Sequence, residues 1–207
     1  MYDLREILIF VSINIDIAMN CEIDIKNAVD VLKKGGVILY PTDTVWGIGC
    51  DATNEEAVRR VYEIKKRCDA KSMLCLVDTP DRIQRYFRTV PDVAWDLMDC
   101  ATEPLTVILP DANGVAPSLL AEDGSLGVRV TREEFSRQLC YRLQKPLVST
   151  SANISGEPTA RYFREISQEI IDRMDYVVQF RRGDTKPHKP SSIVKLGLKG
   201  EVTVIRK

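Results

Sequence analysis

A single histidine, His188, stands in the whole chain, and the six cysteines (Cys21, Cys50, Cys68, Cys75, Cys100 and Cys140) contain no Cys-x-x-Cys pair. That poverty argues against a zinc site, which needs several Cys or His ligands at close spacing, and no metal-ligand set is assigned. Most of the cysteines read instead as buried thiols of a reducing cytosol. No apolar run approaches the length of a membrane span. The start, Met1 to Glu6, is acidic and lacks the basic region and small-residue cleavage site of a signal peptide, so the expected location is cytoplasmic, with no membrane partner. A formal net charge of −1 excludes coating of nucleic acid by bulk electrostatics, while a local basic concavity stays compatible with it.

What is present suits a folded domain: 207 residues with 44% hydrophobic content can bury one sizeable core. Ile7, Ile9, Val11, Ile13, Ile15 and Ile17 alternate with other residues, a period of two that predicts a strand. Met19 is a possible start, so residues 1–18 are read as a strand-like extension and 19–207 as the main domain. Asp24 is placed as the cap of a helix reaching about Lys34 and ended by Gly35-Gly36, with a strand at 37–40 after it. Further helices are predicted at 55–67, 80–88, 91–100 and 133–143. Strands are predicted at 73–77, 105–109, 127–130, 146–149, 176–178, 192–196 and 202–205. Helices and strands alternate, but the late strands lack crossover helices, which predicts an α/β fold on a mixed sheet.

Two segments carry small polar groups at strand ends, where ligands of open α/β sheets usually sit. The first, Pro41 to Gly49, offers Thr42, Asp43 and Thr44, with Gly47 and Gly49 available for close ligand approach or positive φ. Its following helix, capped by Asn54, ends in Lys65-Lys66-Arg67, which serves either an anion or merely the helix dipole. The second segment, Ser149 to Gly156, offers Ser and Asn groups suited to a ribose, a phosphate oxygen or an amino-acid head group, or simply to a capped turn. The basic stretch 181–190 reads as a lid or as a solvated connection.

Taken together, the blocks YPTDTVWGIG at 40–49, Lys65-Lys66-Arg67, PLTVIL at 104–109, GVRV at 127–130, STSANISGEP at 149–158 and SSIVKL at 191–196, with Val204-Ile205-Arg206 after them, resemble the YrdC/Sua5 family of threonylcarbamoyl-AMP synthases. They keep the family's order from about residue 23 onward. With Lys207 as last residue, the chain resembles the short members without the Sua5 C-terminal domain. Two blocks depart from the family pattern: Lys71-Ser72-Met73 lacks a proline, and Thr102-Glu103-Pro104 replaces a Pro-Gly.

The resemblance implies a YrdC-like fold, a twisted open mixed sheet with flanking helices around a concave basic cavity. It also implies an ATP-dependent nucleotidyltransferase that joins L-threonine, bicarbonate and ATP into threonylcarbamoyl-AMP, with release of pyrophosphate, for the threonylcarbamoyladenosine modification of tRNA. ATP is a substrate, Mg²⁺ its companion, and downstream threonylcarbamoyl transferase proteins the takers of the product. Because the nucleophile comes with the substrate, no histidine base is required. By motif, Lys65, Arg67, Ser151 and Asn153 would be catalytic. Thr44, Arg129, Ser151 and Ser191 would bind threonine, and Lys65, Arg67, Lys71, Asn153 and Arg206 would bind ATP. Thr42 and Asp43 would shape the loop and Ser149 would support it, while Ser125 and Arg161 are placed by position alone. Trp46 is read as pocket wall or core. Lys65 is expected to be dispensable for stability. The competing reading is a non-catalytic module for structured RNA, tRNA or double-stranded RNA, using Arg59, Arg60, Lys65, Lys66 and Arg67 on phosphates.

Overall fold

The computed structural model describes residues 4–66, 73–186 and 189–207, with side chains from residue 18 onward. Five α-helices are present among them: α1 (Leu4–Lys33), α2 (Glu55–Ile64), α3 (Asp92–Cys100), α4 (Glu134–Leu143) and α5 (Gln168–Ile171). The strands are β1 (Ile38–Tyr40), β2 (Gly47–Gly49), β3 (Leu74–Val77), β4 (Leu105–Leu109), β5 (Leu126–Val130), β6 (Leu147–Ser151), β7 (Tyr176–Val177), β8 (Ser192–Leu196) and β9 (Val202–Arg206). They form one open mixed sheet in the order β7-β1-β2-β6-β3-β5-β4-β8-β9. The parallel pairs are β7 with β1, β3 with β5 and β4 with β8. The other five neighbouring pairs are antiparallel.

Register decides which residues share a face, because side chains alternate along a strand and directly paired residues point the same way. Gly47 pairs with Ser151, Leu74 with Ser149 and Gly127, Leu76 with Arg129, and Thr106 with Ile193. One face therefore carries the polar motif residues. The alternate set, Ile48, Val148, Cys75, Val128 and Val107, is buried. Against this sheet α4 packs on β3 and β6, while α1 packs on α4, β1 and β7.

The strand expected at 7–17 is helix instead. From Leu4 to Lys33 there is neither glycine nor proline, and Leu8 and Phe10 already spoil the alternation. Extending a formed helix costs far less than nucleating one, so α1 runs unbroken past residue 18. It stops at Gly35, whose φ of +81° few other residues tolerate, and Gly35 N and Gly36 N donate to the Leu32 and Val31 carbonyls. Asp24 is correspondingly not a helix cap. Mid-helix and buried, it accepts from Gln179 N at 2.9 Å, Phe180 N at 2.7 Å and the Tyr176 hydroxyl at 2.5 Å, tying α1 to the end of β7.

The second correction concerns Gly47 and Gly49. Neither has positive φ, and both lie in strand β2 rather than in a loop. A Cβ on Gly49 would come within 2.7 Å of the Tyr40 ring and 2.8 Å of the Val148 carbonyl, so this glycine admits sheet packing rather than a ligand. The segment 80–88 forms a 3₁₀ turn over Pro80–Arg85, not an α-helix. Asn54 does cap α2, accepting from Ala57 N at 3.1 Å.

Candidate active site

The two polar segments meet on the motif-bearing face of the sheet. A cleft of about 160 Å³ is lined by Thr44, Val45 and Gly47, by Ser149 and Ser151 of β6, by Arg129 of β5 and Leu74 of β3, and by Thr159, Pro190, Ser191 and Arg206. Strand pairing explains the convergence. β2, β6, β3 and β5 are consecutive neighbours, and their same-face residues form the floor.

The Thr42 hydroxyl donates to the Val45 carbonyl at 2.8 Å and accepts from Thr44 N at 2.9 Å. Its one proton is thus committed, and in the 3.0 Å contact between the two hydroxyls Thr44 must be the donor. Thr44 Oγ1 in turn accepts from Arg129 Nη2 at 3.3 Å. A remaining lone pair on Thr44 is available to a ligand donor.

Arg129 is 3% exposed, and its Nη2 lies 3.0 Å from Asp43 Oδ1. Its Nε has no hydrogen-bond partner. Burial lowers the Arg129 pKa, opposed by the Asp43 charge, and burial likewise raises that of Asp43, opposed by Arg129. The pair does not recover the full cost of its own desolvation, and an unanswered buried N–H is a donor awaiting an acceptor. An incoming carboxylate answers both the charge and the open donor.

Lys65 is placed differently from the expectation of an accessible phosphate ligand. It is 2% exposed, and its Nζ donates to the Ser151 carbonyl at 2.6 Å and the Asn153 carbonyl at 2.8 Å. Its own carbonyl accepts from Ser155 N at 3.0 Å. Lys65 thus clamps the loop after β6 to the end of α2. Asn153 spends its amide on the Ile154 and Glu157 carbonyls, leaving its buried Oδ1 without a hydrogen-bond partner. Arg67 and Lys71 lie outside the described residues.

Ser191 Oγ is 2.8 Å from Thr106 Oγ1 and accepts from Arg206 Nη2 at 3.4 Å, while Arg206 Nε donates to the Ser191 carbonyl at 2.9 Å. Arg206 and Leu74 also border a larger groove of about 750 Å³ on the same face, floored by Ile108, Gly127 and Ile193 and edged by Ser125 and Lys195. Ser125 is held by Asp123 at 2.6 Å. Arg161 is away from the Arg129 cleft, bonded to Glu165 at 3.3 Å and set over the Tyr162 ring. Trp46 is buried, with its ring centroid 4.9 Å from that of Phe163. The basic stretch beginning at 181 is tethered at its start: Arg181 donates to the Thr42 carbonyl at 3.2 Å, and Arg182 to the Val177 and Val178 carbonyls.

Sequence reasoning missed Thr159 and Thr106. Thr159 follows the second motif closely enough to have been included. Thr106 required knowing that β4 lies beside β8. Among the described residues no three His, Cys, Asp or Glu side chains gather as a protein-held metal would need, and no helix is long and apolar enough to cross a membrane.

Comparison with known proteins shows the family and agrees with the fold. Residues 30–207 match the Sua5/YciO/YrdC family model, described as telomere recombination. A protein of Pseudoalteromonas translucida named threonylcarbamoyl-AMP synthase is 32% identical over 188 residues, covering 89% of this chain and 98% of the relative. The crystal structure of E. coli YciO superposes with a TM-score of 0.76 at 26% identity, covering 88% of both chains. P. abyssi Sua5 complexed with L-threonine gives a TM-score of 0.74 at 22% identity, covering 83% of this chain; the chain spans about half, 50%, of that longer protein.

Proposed function

The chain belongs to the Sua5/YciO/YrdC family, and on that premise we propose that it is an L-threonylcarbamoyladenylate synthase. It joins L-threonine, bicarbonate and ATP into threonylcarbamoyl-AMP and pyrophosphate, as an ATP-dependent nucleotidyltransferase of the cytoplasm, for the threonylcarbamoyladenosine modification of tRNA. The name of the Pseudoalteromonas translucida relative supports the reading. The observation that carries it is Arg129, buried and with an unanswered Nε at a cleft of amino-acid size beside Thr44, Ser151 and Ser191.

In this reading the threonine carboxylate meets Arg129, and Thr44 and Ser191 receive its polar groups. Bicarbonate takes up a proton and loses water to give CO₂, and the threonine amine adds to the CO₂ carbon and gives up a proton, forming a carbamate. A carbamate oxygen attacks the α-phosphate of ATP, the bond to the β-phosphate breaks, and pyrophosphate leaves with the electron pair. The protein supplies alignment and positive charge rather than a nucleophile. The larger groove adjoining the cleft at Leu74 and Arg206 suits the nucleotide, with Arg206 between the two substrates. Lys65 acts by fixing the Ser151–Asn153 loop, and Arg67 and Lys71 remain proposed phosphate ligands. Mg²⁺ comes with the ATP phosphates, and no step runs through a protein-held ion. The labile adenylate passes to downstream threonylcarbamoyl transferase proteins.

The competing RNA module is less well supported, because among the described residues its cations on and just after α2 are engaged. Arg59 pairs with Glu55 at 2.7 Å, Arg60 with Asp175 at 2.5 Å and Lys66 with Glu169 at 2.9 Å. The test is pyrophosphate release from ATP with threonine and bicarbonate each omitted in turn. Release is expected only with all three; release without threonine, or none at all, would sink the proposal.

A further inference from the structure

Two glycines of β2 make way for one aromatic ring. A Cβ on Gly47 would lie 3.3 Å from the Tyr40 ring and one on Gly49 2.7 Å from it, so Tyr40 of β1 lies across β2 where side chains are missing. Tyr40 pairs with Gly47 and Gly47 with Ser151, so all three share the face of the cleft. Ser149, two residues back along β6, shares it as well. Tyr40 is fully buried, and its hydroxyl reaches past β2 to β6, where it donates to the Val148 carbonyl at 3.4 Å. The Cβ position on Gly47 is also 3.3 Å from Ser149 Oγ, which sets the Ser149 hydroxyl beside the same ring.

A hydroxyl has one proton to give and lone pairs with which to accept. Tyr40 gives its proton to the Val148 carbonyl, so in its bond with Ser149 the serine is the donor. The acidity of Tyr40 agrees: burial pushes its pKa up, and the foremost opposing effect is the hydrogen bond from the Ser149 side chain. With its proton spent on Tyr40, Ser149 turns only lone pairs to the cleft that it lines. The open donor of that cleft, Arg129 Nε, suits a carboxylate, and a hydroxyl fixed as an acceptor suits an N–H. An amino acid brings both. We propose that Ser149 accepts from the amine of the amino-acid substrate, and that Tyr40 is a positioning residue that fixes Ser149 as an acceptor. The inference rests on the reading of the cleft as the threonine site and adds a reason for the arrangement. An amine held through its N–H keeps its lone pair free to face CO₂, whereas a serine free to rotate would donate to that lone pair and occupy it.

Tyr40→Phe removes one oxygen and keeps the ring on its two glycines. In calorimetry without ATP or bicarbonate it should weaken L-threonine binding about fivefold, as should Ser149→Ala. The double variant should lose no more than Ser149→Ala alone, because the two changes break one chain of hydrogen bonds. 3-Hydroxybutyrate, which is threonine without its amine, has no N–H to offer and should bind the parent and Tyr40→Phe chains equally. Losses that add in the double variant would overturn the proposal. So would an equal loss for 3-hydroxybutyrate, or a Tyr40→Phe chain that binds threonine as the parent does. Any of these in a parent chain that binds threonine would sink this inference alone, whereas a parent chain that binds none would take the reading of the cleft down with it.

Discussion

The ammonium of Lys65 lies 2.6 Å from the carbonyl oxygen of Ser151, so a lysine of the first motif is bonded to the backbone of the second. With the Asn153 carbonyl at 2.8 Å, this cation fixes the loop after β6, beside Ser151, which lines the cleft. It does so from a position 2% exposed.

Lys65→Met should therefore lose turnover and stability together, against the expectation from sequence that stability would be spared. Two buried carbonyls lose a charged donor, a change worth about 2–4 kcal/mol. Thermal melting checks it: a midpoint unchanged within a degree would return Lys65 to the role of a free phosphate ligand.

Arg129→Lys should keep a charge but lose the fork that serves Asp43 and Thr44 and still leaves Nε open. The KM for threonine should rise about a hundredfold, with little change in the KM for ATP. Steady-state kinetics with each substrate varied in turn measures the split, and an equal rise in both would point to general damage to the sheet.

Asp24→Ala should be among the most destabilising single changes outside the hydrophobic core. Three donors, from Tyr176, Gln179 and Phe180, lose their shared acceptor. The expected loss is about 3 kcal/mol, read from the urea midpoint. Under about 1 kcal/mol, the tie between α1 and β7 would be ornamental.

Acid dependence follows from Asp123, which Lys195 and then Ser125 hold down to about 2, against an ordinary value of 3.8. A lowered folded-state value means stability fully present above 3.8 and lost as pH falls through about 2. The stability gap between the parent chain and Asp123→Asn should be constant above pH 4 and close across that window. Asp123 is largely exposed, so salt should shrink the gap. A gap that widened toward pH 2 would contradict the assigned pairing.

Asn54 as the cap of α2, the strands 105–109 and 192–196, and the motif residues Thr44, Arg129, Ser151 and Ser191 were all legible in the chain. The cap and the strands are written in local chemistry, a side-chain acceptor before a helix and an apolar run between breakers, whereas the four motif residues are named through the family resemblance. The helix at 4–17 was not legible, because Ile or Val recurs at every second position from 7 to 17 and outweighs Leu8 and Phe10 in a local reading, so only continuity with residues 18–33 settles the choice.

Sequence by itself determined the alternation of elements, the two polar segments and the kinds of group that line the cleft. The tertiary structure alone decided which groups are spent and which are open. Lys65 is consumed by carbonyls 86 and 88 residues away, Gly49 by the Tyr40 ring and the Val148 carbonyl, and Asp24 by backbone 155 residues further on. Among the described residues, Arg129 is a buried motif cation that keeps an orphaned donor. The reason is that burial and pairing depend on strand order, and an order that places β6 between β2 and β3 joins partners no local pattern encodes.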